Sequence, residues 1–191
     1  MATIHGGAFP DFISGTHGDD FIDGDAGSDL LMGRSGSDVI HGGMDNDVMN
    51  GGSGADVLDG GAGNDMLYGK SGDDILFGKA GADVLNGGAG RDILIGGEGD
   101  DVLTGGSGND AFIFNGGGGN DVILDFDVGH DLLQIAHNIN GLTLNSVADV
   151  LSYATQSQGN TVLDFGNGDT ITLMNVSVAE LEHDSHGIVL A

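Results

Sequence analysis

Gly60-Gly61-Ala62-Gly63-Asn64-Asp65-Met66-Leu67-Tyr68 is the plainest copy of a nine-residue phrase that occurs eleven times without interruption between Gly15 and Ile113. Numbered 1 to 9, the phrase has glycine at position 1 and aspartate at position 6 in every copy. Position 8 is always a large apolar residue, and position 4 is glycine except in the fourth copy, where Asp45 replaces it. A fixed period of this kind identifies a repeat architecture, in which each copy is one structural unit that stacks on its neighbours.

The first six positions of each repeat are turn formers, and the last three are strand formers. Glycine at positions 1 and 4 predicts backbone with positive φ, and Asp45 is of a residue type that tolerates this conformation. Because side chains alternate along a strand, positions 7 and 9 face one way and position 8 faces the other. A strand of three residues has no core of its own, so the pattern predicts stacked strands with position 8 as a continuous apolar ladder inside.

The composition restricts the partners of this 191-residue chain. Thirty acidic residues against four basic ones give a formal charge of −26, which excludes nucleic acid and anionic membranes as electrostatic partners and favours cations. Cysteine is absent, so neither disulfides nor thiolate metal sites are expected. The 39 glycines do not follow the three-residue period of collagen, and a disordered linker would not carry a bulky apolar residue at every ninth position.

Three segments follow from this pattern: a lead-in over residues 1–14, the repeat array over residues 15–113, and a C-terminal segment over residues 114–191. The lead-in is expected to be irregular. Phe9, Phe12 and Ile13 either cover the first open end of the array or belong to an untethered tail. It has no basic start and no apolar run, so no cleavable secretion signal is expected there.

Beyond Ile113 the turn sequence recurs out of phase, with Asp121 eleven residues after Asp110. The glycines before it are either a flexible linker or a further cation-binding turn. The second interpretation is favoured because Asp121-Val122-Ile123 reproduces positions 6 to 8. The rest is predicted to be a mixed, mainly β capping segment, with strands at 122–126, 132–135 and 187–190, a hairpin of 161–165 with 170–174, a helix from Asn145 or Ser146 to Tyr153, and a capping box at 177–180.

The chemistry of the turns points to calcium. Each turn offers one carboxylate and several backbone carbonyls, which are hard oxygen ligands, and calcium takes six to eight of these. One turn offers too few, but two stacked turns offer enough. If such turns stack at the strand spacing of about 4.8 Å, adjacent aspartates would repel by roughly 3 kcal/mol at an effective dielectric of 20. The array is therefore expected to unfold without cations.

The phrase Gly-Gly-x-Gly-x-Asp-x-apolar-x resembles the repeat of the RTX family of secreted calcium-binding proteins, and the resemblance covers 99 of the 191 residues. It implies an all-β fold, a right-handed parallel β-roll (a β-solenoid) in which two repeats form one coil and calcium lies between alternate turns. Asp121-Val122-Ile123-Leu124-Asp125-Phe126 is also similar to the tail that follows RTX arrays.

The resemblance implies two rows of metal ligands. One edge of the roll would carry Asp20, Asp38, Asp56, Asp74, Asp92 and Asp110, and the other would carry Asp29, Asp47, Asp65, Asp83 and Asp101. These turns enclose about nine calcium ions, and Asp121 would add a tenth if it continues the second edge. The fourth turn, with Asp45, is the weakest assignment.

The coil arrangement has a consequence for one outer face. The odd repeats share this face, and its last three rungs carry Ile75 and Phe77, Ile93 and Ile95, and Ala111 and Ile113. Because an apolar patch at one end is unusual on a monomer, the C-terminal segment is expected to fold back over it.

The sequence predicts a calcium-binding module that is exported unfolded through a type I secretion channel, with an uncleaved signal in its C-terminal segment, and that folds outside the cell. Its seven histidines are scattered and no catalytic constellation emerges, so the chain is not expected to be an enzyme. Two alternatives remain open. One is a polysaccharide-binding or auxiliary module of a secreted enzyme such as an alginate epimerase, and the other is a calcium-dependent surface or matrix protein that self-associates.

Overall fold

The apolar residues at positions 7 to 9 form strands that pair in parallel with the strands two repeats away. In the computed structural model, which describes all residues 1–191, Val84 is in register with Met66 on one side and with Val102 on the other. Successive strands therefore alternate between two sheets, and two repeats complete one coil of the roll. This confirms the predicted parallel β-roll.

The strands are β1 Thr3–Gly7, β2 Phe12–Ser14, β3 Phe21–Asp25, β4 Leu30–Ser35, β5 Val39–Met44, β6 Val48–Ser53, β7 Val57–Ala62, β8 Met66–Ser71, β9 Ile75–Ala80, β10 Val84–Ala89, β11 Ile93–Glu98, β12 Val102–Ser107, β13 Ala111–Phe114, β14 Asn120–Ile123, β15 Leu132–Ile135, β16 Asn138–Ile139, β17 Leu142–Thr143, β18 Ala154–Ser157, β19 Asn160–Asp164, β20 Thr170–Leu173 and β21 Ile188–Leu190. Sheet 1 has the order β1-β3-β5-β7-β9-β11-β13-β15-β21, and sheet 2 has the order β2-β4-β6-β8-β10-β12-β14-β20-β19-β18. The helices are α1 Val147–Leu151 and α2 Val178–His183, and neither has the length and apolar character that a membrane crossing requires.

Position 8 forms the predicted ladder between the sheets. Its side chains are fully buried from Ile22 to Phe112, whereas the residues at positions 7 and 9 are at least partly accessible. Burying a leucine or isoleucine side chain stabilises the fold by about 1.5–3 kcal/mol, so this single row supplies most of the apolar stabilisation of the roll.

The strands are longer than predicted, and the glycines serve different purposes. Strands β4 to β12 each have six residues and continue through position 3 of the next repeat. Left-handed backbone occurs at positions 2 and 4, as in Gly61 (φ 100°) and Gly63 (φ 139°). No position-1 glycine has it, so the prediction for position 1 was wrong. Asp45 (φ 74°) adopts the left-handed conformation expected of it, as does Lys79 (φ 81°) at position 2.

The N-terminal residues form the first coil of the roll, although an irregular lead-in was expected. β1 pairs with β3, and β2 pairs with β4. Residues 6–14 follow the nine-residue frame, with Gly6 at position 1, Asp11 at position 6 and the buried Ile13 at position 8. Phe9 and Phe12 do not cover the open end, because they are 79% and 66% exposed.

The C-terminal segment extends both sheets. β14 and then β20 continue sheet 2 in parallel, while β15 and β21 continue sheet 1. The N-cap residues of the two helices are Ser146 and Ser177, as predicted, and each helix has a complete capping box. The segment covers the outer face of sheet 1 only in part, where Phe77, Ile95 and Ile113 line a cleft against it. Ile75 and Ile93 there stay half-buried, and only the C-terminal end of the face meets the segment.

Two aspartates of the C-terminal segment close the last turns of the roll. Asp125 accepts hydrogen bonds from the backbone N–H groups of Gly105 and Gly106, at 2.9 and 2.8 Å. Asp169, in the turn of the β19–β20 hairpin, accepts them from Gly117 and Gly119, at 2.6 and 3.1 Å. Charge-assisted bonds of this kind are stronger than neutral ones, so Asp125 holds the segment to the last repeat and Asp169 holds the hairpin to the turn before β14.

The ladder can be tested by a pair of adjacent truncations. Leu67→Ala removes a fully buried side chain and should lower the free energy of unfolding by about 2–5 kcal/mol in urea denaturation with excess calcium. Met66→Ala, at a side chain that is 45% exposed, should change it by about 0.5 kcal/mol or less. Equal losses for the two variants would contradict the assignment of position 8 to the core.

Candidate metal centre

The position-6 aspartates lie in two rows, one along each edge of the roll where turns enter a strand. Edge 1 is formed by the turns that enter sheet 1, and edge 2 by those that enter sheet 2. Successive hydrogen bonds link the residues of edge 1 in the order Asp20, Asp38, Asp56, Asp74, Asp92, Asp110 and Asp131. They link those of edge 2 in the order Asp11, Asp29, Asp47, Asp65, Asp83, Asp101 and Asp121.

Each carboxylate uses one oxygen to join two coils. Oδ1 of Asp65, for example, accepts the backbone N–H of Asp47, one coil earlier, at 2.8 Å. Along both rows, each buried aspartate except the last donates its backbone N–H to Oδ1 of the aspartate one coil later, at N–O distances of 2.8–3.0 Å. The sequence did not indicate this role, because a repeat pattern fixes which residues stack but not which atoms meet.

The second carboxylate oxygen is buried and has no hydrogen-bond partner. This holds for Oδ2 of nine aspartates, namely Asp29, Asp38, Asp47, Asp56, Asp65, Asp74, Asp83, Asp92 and Asp101. A buried polar atom without a partner costs about 1–3 kcal/mol, and more when it is charged. Nine such atoms in register mark the places along both edges where a cation would be stabilised.

Backbone oxygens converge on the same places. A Cβ placed on Gly60 would lie 2.5 Å from Oδ2 of Asp65 and 2.8 Å from the carbonyl oxygen of Gly78, one coil later. Similar pairs of oxygens surround Gly33 and Gly69. Position 1 is therefore glycine because any side chain would occupy the space between a carboxylate and a carbonyl of successive turns.

The donor set fits calcium. Carboxylate and carbonyl oxygens from two turns are the hard ligands that it prefers, and no thiolate is available. No group of three or more His, Cys, Asp or Glu side chains converges on one point. That is expected of this arrangement, in which each turn contributes one carboxylate and the remaining ligands are carbonyls.

The electrostatics of the two rows favour a bound cation. Burial, with a smaller contribution from neighbouring carboxylates, raises the pKa of Asp47, Asp74 and Asp101 to about 7 against the opposing effect of the N–H groups that they accept. Burial likewise raises the pKa of Asp56, Asp83, Asp92 and Asp121 to about 6. At the N-terminal end, the N–H groups of Ala2 and Thr16 instead lower the pKa of Asp20.

Two aspartates in these rows were not among the predicted site residues. Asp11 belongs to the first coil, where Phe9 replaces the position-4 glycine of the turn and Pro10 follows it. Asp131 lies 21 residues after Asp110, but Asp131-Leu132-Leu133 repeats positions 6 to 8 and would have revealed it. Both oxygens of Asp131 accept N–H groups, from Asp110 and Asp127, so it closes edge 1 differently from the aspartates of the array.

Comparison with known families and structures gives matches along the whole roll. The RTX calcium-binding nonapeptide repeat (4 copies) matches residues 3–31, 23–58, 41–76, 50–85, 77–112 and 113–133. No curated protein sequence matches the chain.

Among solved structures, the extracellular lipase LipA from Serratia marcescens matches with 26% identity and a TM-score of 0.57. The match covers 95% of this chain and 40% of the lipase, so the chain spans well under half of the lipase's length. A subunit of the mannuronan C5-epimerase from Azotobacter vinelandii matches with 23% identity and a TM-score of 0.30, over 96% of this chain and 80% of that one.

The raised pKa values predict how the metal-free protein responds to pH. Because these carboxyls hold their protons more tightly when folded than at the unfolded value of about 3.9, their contribution to stability is largest below pH 4. It is lost as the pH rises through 6 to 7. In a calcium chelator, circular dichroism should show β structure increasing as the pH falls from 8 to 5. A structural transition centred near pH 4, where exposed carboxylates titrate, would contradict this account.

Proposed function

The chain belongs to the family of RTX calcium-binding nonapeptide repeat proteins and is a calcium-binding β-roll module. From this premise we propose that, at neutral pH, it folds only when calcium fills both edges of the roll. The observation that carries the proposal is the set of nine buried carboxylate oxygens that have no hydrogen-bond partner. Each lies beside a position-1 glycine, and a Cβ placed on six of these nine glycines would also meet the carbonyl oxygen of the next coil.

The residues that would hold the ions are the aspartates of the two rows, Asp20, Asp29, Asp38, Asp47, Asp56, Asp65, Asp74, Asp83, Asp92, Asp101, Asp110 and Asp121, together with turn carbonyls. About nine or ten ions are proposed, since one unpartnered Oδ2 serves each interval between turns. When bound, calcium supplies the positive charge that buried carboxylates need. Because Oδ1 of the same carboxylate joins two coils, binding in one interval also orders the next, and the transition should be cooperative.

Export in an unfolded state follows from the same chemistry. With little calcium, a chain of net charge −26 with stacked aspartates repels itself and stays extended, which suits passage through a type I channel. Outside the cell, millimolar calcium would fold it by mass action. We place the uncleaved export signal in the C-terminal segment, residues 114–191.

We propose a non-catalytic role for this chain. The repeated polar residues of the roll are occupied in joining coils and in offering oxygens to calcium, and they are not arranged as nucleophile and base. The lipase activity named for the structural neighbour is that of a much longer protein.

Calcium-dependent folding can be measured by circular dichroism. We expect an unfolded spectrum at neutral pH in a chelator and a cooperative transition to a β spectrum on addition of calcium. The same concentration of magnesium should have little effect, because magnesium demands small octahedral sites and keeps its water. A folded chain in the chelator at neutral pH would refute the proposal.

The ligand role of single aspartates can be separated from their role in joining coils. In Asp65→Asn the amide oxygen still accepts the N–H of Asp47, but a nitrogen replaces the free Oδ2. Titration calorimetry should show about one calcium ion fewer and a folding midpoint at higher calcium. Asp59→Asn, on the outer face where Asp59 pairs with Lys79, is the control and should leave the calcium stoichiometry unchanged. If the two variants bind equal amounts of calcium, Asp65 is not a ligand.

A further inference from the structure

A cleft of about 350 Å³ lies where the outer face of sheet 1 meets the C-terminal segment. We call it the C-terminal cleft. Its outer wall is formed by Phe77, Ile95 and Ile113, the position-9 residues of β9, β11 and β13. Its inner wall is formed by Ile139, Phe165 and Ile171, of which each is 2% exposed. The outer residues are only half-buried, so the cleft opens at this side.

The size of the cleft exceeds an ordinary packing defect. An apolar cavity of about 150 Å³ is enough to bind benzene, and ligand pockets in proteins begin at about 300 Å³. The walls come from the roll, from the β16–β17 hairpin and from the β19–β20 hairpin, so the cleft exists only in the complete fold. An aliphatic chain would gain most by entering, because the walls are branched aliphatic and phenyl side chains.

The charges around the cleft select the head group of such a ligand. Lys79 is the basic residue of the lining, and its Nζ is already 3.5 Å from Oδ2 of Asp59 and 5.0 Å from the centre of the Phe77 ring. The acidic residues of the lining are Glu98, which is exposed, Asp169, which is 9% exposed, and Asp121, which is 3% exposed and is a proposed calcium ligand. Each oxygen of Asp169 accepts only one N–H and retains capacity for a further donor. Glu98 and Asp169 at the rim disfavour an anion.

We propose that the C-terminal cleft binds a small cationic amphiphile, an alkyl chain of about eight carbons that carries an ammonium group. The chain lies between Ile95 and Phe165, and the ammonium lies at the acidic rim, within the field of Glu98 and Asp169. The lining includes Asp121, the last proposed calcium ligand of edge 2, but none of the nine aspartates whose Oδ2 is unpartnered, and the cleft requires the folded roll.

The test uses the full chain in excess calcium, with circular dichroism as a check that it is folded. Titration calorimetry with octylammonium, below its micelle concentration, should give one binding site. Octanesulfonate, which has the same chain and an anionic head, should bind at least about tenfold more weakly, and tetramethylammonium should not bind. Ile95→Phe fills the cleft and should weaken octylammonium binding about tenfold or more. Ile93→Phe adds the same bulk to the same strand but outside the lining, and should have no effect.

Charge selection has its own pair of variants. Glu98→Gln should weaken octylammonium binding about two- to fivefold, because exposed ion pairs are worth up to about 1 kcal/mol. Glu182→Gln, an exposed position on α2, should not change it. The proposal is overturned if the folded chain does not bind octylammonium, if octanesulfonate binds equally well, or if Ile93→Phe weakens binding as much as Ile95→Phe. Because circular dichroism monitors folding independently, none of these results would affect the calcium proposal. A chain that stays unfolded in calcium would contradict that proposal instead.

Discussion

The structure depends on the stacking of buried aspartate carboxylates on adjacent coils. One oxygen of each carboxylate accepts an N–H of the preceding coil, which fixes the spacing and register of the turns. The other oxygen is left buried without a partner in nine of them. Summed over a row, the repulsion between like charges at this spacing exceeds the net stability of about 5–15 kcal/mol that a domain normally has. The fold and the need for a cation therefore have the same origin.

Glycine makes this stacking possible at position 1, where a side chain would enter the space between the oxygens of Asp65 and Gly78. The aspartate rows and the ladder from Ile22 to Phe112 could be predicted from sequence, because identical repeats must stack identically. The length of the strands and the hydrogen bonds that Oδ1 accepts could not be predicted, since both depend on how the backbones of successive coils pack. Asp11 could not be predicted because its turn lacks the usual position-4 glycine. Hydrogen bonding of Asp11 and the pairing of β2 with β4 keep the first coil in register without it.

The C-terminal segment ends the array by continuing it. Strands β14, β15, β20 and β21 extend both sheets beyond the last repeat, and the antiparallel β18 and β19 follow at the end of sheet 2. Asp125 and Asp169 then accept the N–H groups of the last turns, in place of contacts with a further coil. The sequence indicated α1 through a capping residue, α2 through a capping box and the hairpin through the Asn-Gly turn, which are local signals. It did not indicate the long-range contacts of these two carboxylates, or the cleft that the hairpin leaves beside Phe77.

The central claim is that each unpartnered Oδ2 faces a calcium ion. The most direct measurement is an anomalous difference map from crystals grown in calcium. The account predicts two rows of calcium peaks, one along each edge, with a peak bonded to Oδ2 of Asp38, Asp56, Asp74 and Asp92 and to Oδ2 of Asp29, Asp47, Asp65, Asp83 and Asp101. An ordered roll whose Oδ2 atoms bind no ion would contradict it.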